Sequence, residues 1–66
     1  MLVKELLDTI QNVDYAVIYN EHGKRETTEQ GIPLDLARTI YGDLIADKFF
    51  VSPKAYDEVH IQIRGA

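Results

Sequence analysis

Sixty-six residues, 7.5 kDa and a net charge of −4 leave room for one small domain, residues 1–66, with no linker, repeat or low-complexity tract. The composition, 45% hydrophobic and 27% charged, is globular, and the lack of cysteine excludes a disulfide framework, a cysteine-based zinc site, a thiol nucleophile and an iron–sulfur cluster. Seven scattered basic residues against eleven acidic ones argue against direct nucleic-acid binding, and no apolar run approaches the roughly 18–20 residues of a membrane span. The opening Met1-Leu2-Val3-Lys4-Glu5 has no charged-then-apolar leader, so a cytoplasmic protein is expected.

Val3, Leu6, Leu7 and Ile10 form one apolar stripe of a short first helix, with Lys4 and Asp8 spaced to pair across a turn and Asn12 to Asp14 ending it. Tyr15-Ala16-Val17-Ile18-Tyr19 is an aromatic and β-branched run that reads as a central strand, with Tyr15 in the core. Asn20-Glu21-His22-Gly23-Lys24 is turn chemistry. Residues 25–30, without an apolar side chain, are either a solvated edge strand or a loop. Pro33 suits the first turn of a second helix whose stripe is Leu34, Ala37, Ile40, Tyr41, Leu44 and Ile45. That helix is expected to end near Ala46, with Gly42 marking a kink or an earlier end. Lys48-Phe49-Phe50-Val51-Ser52 reads as a strand, and residues 53–57 as a turn. Val59, Ile61 and Ile63, alternating with Glu58, His60, Gln62 and Arg64, make the clearest strand of all, one face buried and one wet. The last two strands should form a hairpin. The expected fold is α+β: two helices on one face of a small, mostly antiparallel sheet of three to four strands, in the order α-β-(β)-α-β-β.

The opening Val3-Lys4-Glu5-Leu6-Leu7, the strand and turn through Gly23, and the close from Asp43 through Val51-Ser52-Pro53 to Tyr56-Asp57-Glu58-Val59-His60-Ile61-Gln62-Ile63 resemble small uncharacterised proteins encoded by phages and prophages of Gram-positive bacteria. Residues 6–17, with Asn12, Asp14 and Tyr15, are also similar to the start of a small acidic anti-CRISPR protein. The resemblance brings no catalytic residue with it.

Chemistry-bearing motifs are sparse. His22 and His60 lie outside any metal-ligand spacing, and the hydroxyls of Thr9, Thr27, Thr28 and Ser52 outside any activated-nucleophile motif. Glu58 and His60 share one strand face about 7 Å apart at Cα, a spacing that permits a metal or acid–base pair, but the expected reading is an ordinary polar pair on a wet sheet surface. No cofactor, metal or catalytic residue is expected. The carboxylates of Glu21, Glu26 and Glu29 in one turn region and of Asp57 and Glu58 in another are expected on the same side of the sheet, where they either keep the chain soluble or offer a negative surface to a basic partner. Tyr56, in the second acidic turn, is a candidate interface anchor. The expectation is a non-enzymatic protein-binding module, in its most concrete form an inhibitor that occludes the nucleic-acid groove of a basic host defence nuclease through Glu21, Glu26, Glu29, Tyr56, Asp57 and Glu58. A homodimer, formed by edge pairing at residues 25–30 or by helix packing, is expected as well. The alternative is a structural or regulatory homo-oligomer.

Overall fold

The computed structural model describes residues 1–28, 30–52 and 57–64. Its elements are α1 (Val3–Thr9), β1 (Tyr15–Tyr19), β2 (Ile32–Pro33), α2 (Leu34–Tyr41), β3 (Ile45–Val51) and β4 (Glu58–Arg64), the expected order. One four-stranded sheet runs β2-β1-β4-β3. The β1–β2 and β3–β4 pairs are antiparallel and the central β1–β4 pair is parallel, so the sheet is mixed.

Strand alternation decides which side chains meet the helices. Ala16 pairs with Val59 and Ile18 with Ile61, and all four are buried beneath Val3, Leu6 and Leu7 of α1 and Ala37 of α2. Ile63 and Val13 complete this core, and Ile10, Leu34, Tyr41 and Leu44 pack at its rim. Val17 is buried too but stands outside the cluster, since alternation turns it to the other face.

Local chemistry explains the helix ends. The Glu5 carboxylate reaches back to accept the Leu2 backbone N–H at 2.8 Å, tying off one of the unpaired donors at the start of α1. Beyond α1, Asn12 takes a positive φ of 62°, a conformation asparagine tolerates better than most residues. The second helix ends at Tyr41, not near Ala46. Gly42 caps it, donating its N–H to the Arg38 carbonyl at 3.0 Å, and is buried where Lys4 of α1 donates to the Gly42 carbonyl at 3.1 Å. Leu44 and Ile45 continue the helical spacing in sequence only. Ile45 instead opens β3, paired on one side with Arg64 and on the other with Leu2.

Of the two readings of residues 25–30, residues 25–28 take the loop: Arg25 makes a single bridge to Tyr19, and the second strand is the short Ile32–Pro33. Further expectations are corrected. Ile40 is 56% exposed. At 100° per residue, Leu34, Ala37 and Tyr41 span an arc of about 60° facing the core, and Ile40 falls about 60° beyond it. Tyr15 is 45% exposed, because Ala16 takes the inward position beside it. Lys4 and Asp8 do not pair with each other. Lys4 binds Asp43 at 2.9 Å and Asp8 binds Arg38, so both ion pairs join α1 to the α2 region. The hydrogen bond from Lys4 to Asp43, together with the Asp43 charge, raises the Lys4 ammonium above its ordinary pKa.

Candidate functional site

The sheet face turned away from the helices carries Val17 and Tyr19 from β1, Glu58, His60 and Gln62 from β4, and Lys48 and Phe50 from β3. The register sets them in rows: Val17–His60–Phe50, and beside it Tyr19–Gln62–Lys48. His60 is the hub. Its Nδ1 lies 2.8 Å from the Tyr19 hydroxyl, and its Nε2 lies 3.4 Å from Glu58 Oε1. The carboxylate favours the tautomer with hydrogen on Nε2, which leaves Nδ1 to accept the Tyr19 O–H. Phe50 stacks on the imidazole with centroids 4.6 Å apart and planes 4° from parallel, and the Tyr19 ring lies at 5.8 Å. The side chains of His60 and Glu58 are only 16% and 17% exposed, so this polar set is largely withdrawn from water by its aromatic neighbours.

Chemically, a phenol, an imidazole and a carboxylate in sequence could relay a proton. Here the Tyr19 hydroxyl holds Nδ1, Glu58 lies beside Nε2 and Phe50 stacks on the ring, which makes the cluster a clamp that holds the rings of Tyr19 and Phe50 in place. Among the described residues no buried side-chain polar atom lacks a partner, and no group of three or more His, Asp or Glu is arranged to hold a metal ion. A shallow groove of about 280 Å³ lies alongside, bordered by Tyr19, Gly23, Phe50 and His60 with Lys48 as its cation.

The aromatic row runs out to a sheet edge. Phe49, Phe50 and Val51 are 52%, 60% and 49% exposed, three consecutive apolar residues on an outer strand. The Ser52 N–H donates to the Glu58 carbonyl at 3.0 Å, so by antiparallel alternation the peptide groups of Phe50 and Lys48 face β4 while those of Phe49 and Val51 face outward. Leu2 bridges to Ile45, and the Ala46 N–H donates to the Met1 carbonyl at 2.8 Å, which covers the first two residues of this edge. The register then shifts between Ala46 and Lys48, a bulge at Asp47. From Asp47 to Val51 no described residue pairs with the outer edge.

The acidic residues do not gather as expected. Glu21 and Glu26 are exposed near the end of β1, and the Glu26 N–H donates to the Ile18 carbonyl at 2.7 Å. Asp57 is exposed at the start of β1, where its carbonyl accepts the N–H groups of Asp14 and Tyr15 at 2.8 and 3.1 Å. The parallel β1–β4 pair is the reason. It sets the turn that precedes β4 beside the start of β1, while the turn that follows β1 leaves from the other end, about 13 Å away along the strand. Glu58 is no turn residue: it opens β4 and sits half-buried against His60. Glu29 and Tyr56 lie outside the described residues.

Sequence reasoning overlooked two things. The Tyr19–His60 hydrogen bond joins residues 41 apart, and no local spacing announces it. Phe49-Phe50-Val51 did carry a signal: a strand apolar on both faces needs cover on both, and two short helices cover one. Compared with known protein families, with curated proteins and with solved structures, the chain finds no match.

Proposed function

We propose that this chain is a non-enzymatic protein-binding module that engages its partner through the free part of β3. The observation supporting this is the run Phe49-Phe50-Val51, about half exposed at each residue, on an edge whose outward peptide groups have no described partner. Such an edge is a template for strand addition: main-chain hydrogen bonds supply affinity and the alternate side chains supply specificity. The clamp around His60 adds to this reading, since a Phe50 ring already stacked loses less rotamer freedom on binding. Inhibition of a basic nuclease through one acidic face is a weaker version, because the exposed carboxylates are divided between two ends of the sheet.

A comparison of two variant sets tests the proposal. The full chain is immobilised, and the proteins retained by wild type are measured again with Phe49→Lys/Val51→Lys and with Glu26→Lys/Glu29→Lys/Asp57→Lys. Loss with the edge pair alone supports strand addition. Loss with the charge reversals alone replaces it by an acidic contact.

A further inference from the structure

We infer that the partner of the β3 edge is a second copy of this chain, paired antiparallel through β3 with the two-fold axis at Phe50. The inference rests on the proposal that β3 is the contact surface. Three features of the strand select this register. First, residues opposite each other in an antiparallel pair share a face and a hydrogen-bonding direction. An axis at Phe50 sets Phe49 opposite Val51 of the second copy, and the outward peptide groups of both then bond in full, twice over by symmetry.

Second, apolar meets apolar. On the helix side Phe49 and Val51, 52% and 49% exposed, cover each other. On the open side Phe50 meets its own counterpart, and the stack of Phe50 on His60 continues across the axis. Sliding the axis one residue toward the N-terminus, to Phe49, sets Lys48 opposite Phe50 and Asp47 opposite Val51, so two charges face apolar side chains. Third, no like charges are opposed: Lys48 of the second copy stands opposite Ser52, away from its own counterpart.

The pairing also has a natural stop. Met1 and Leu2 occupy the edge at Ile45–Ala46, and the bulge at Asp47 bends the strand, so the ladder is limited to about five residues a side. A contact that short falls below the roughly 1,200 Å² of standard interfaces, the size class of weak, reversible association.

The chain has no cysteine, which permits a register test by single thiols. Directly opposed, non-hydrogen-bonded residues have Cα atoms about 4.5 Å apart, within disulfide reach. In oxidising solution Phe50→Cys should therefore form a covalent dimer. Phe49→Cys should not, because its thiols would be offset by two residues and about 8 Å or more apart. Sedimentation of wild type at hundreds of micromolar should give twice 7.5 kDa, and Phe50→Lys, which sets two ammonium groups face to face, should weaken the association by at least about tenfold. Both substituted positions are more than half exposed, so folding, followed by circular dichroism, should be retained. A wild-type mass of 7.5 kDa at these concentrations overturns the dimer and leaves strand addition to another protein standing. A dimer that survives Phe50→Lys overturns β3 as the surface. A faster crosslink at residue 49 than at residue 50 overturns the register.

Discussion

The two edges of the sheet are finished in different ways. The outer edge of β1 is covered in two short pieces: Ile32–Pro33 pairs with Ala16 and Tyr15, and the segment from Arg25 to Thr27 bonds to Ile18 and Tyr19. The cover itself ends on Pro33, which has no N–H to offer, and on exposed polar residues. The outer edge of β3 is covered by Met1 and Leu2 at two positions and then presents two phenylalanines and a valine. Proline, charge and brevity close an edge; apolar side chains with outward peptide groups leave one open for pairing. Among the described residues, only the β1 edge is covered along its length.

The contrast can be pressed hardest across a single pair. Ile61 and Phe49 are register partners on the same sheet face, yet Ile61 is fully buried and Phe49 is 52% exposed. Truncating Ile61 to alanine should cost roughly 2–5 kcal/mol in urea unfolding, enough to unfold so small a domain. Phe49→Ala should cost less than about 1 kcal/mol in the monomer. Equal losses would mean that the edge is packed in solution.

The closed edge depends on Gly31. Its φ is +77°, and a Cβ there would lie 2.6 Å from the Ala16 carbonyl oxygen, where β2 turns onto β1. Gly31→Ala should destabilise by about 1–3 kcal/mol. Faster hydrogen exchange at the amides of Glu26 and Ile18 would locate the damage on that edge. Unchanged exchange there would show that β2 does not hold it.

The smallest effect concerns the end of β3 that is covered. Lys4, bonded to Asp43, helps hold α1 and the N-terminal residues in place. Its pKa is raised on folding, so its contribution is complete below the unfolded lysine value of about 10.4 and is lost as pH rises through the higher folded value. Melting temperature should fall across that alkaline window, and Asp43→Asn should flatten the decline. An identical decline in both proteins would remove the pair from the account.

What periodicity carries, the sequence by itself determined: the first helix from Val3 and Leu6-Leu7, the central strand from residues 15–19, the alternating strand through Val59, Ile61 and Ile63, and the α+β class that follows from them. These are repeats of 3.6 and 2 residues, set by neighbours within a few positions. Tertiary structure alone decided the rest. Whether Leu44 and Ile45 prolonged a helix or opened a strand depended on Leu2 and Arg64, far away in sequence. The parallel pairing of β1 with β4 parted the acidic turns expected on one side of the sheet, and it brought Tyr19 and Glu58 to the two ends of one imidazole. The exposure of Phe49, Phe50 and Val51 follows from strand order, because a residue's hydrophobicity says what it would bury and only the arrangement of the layers says whether cover is there.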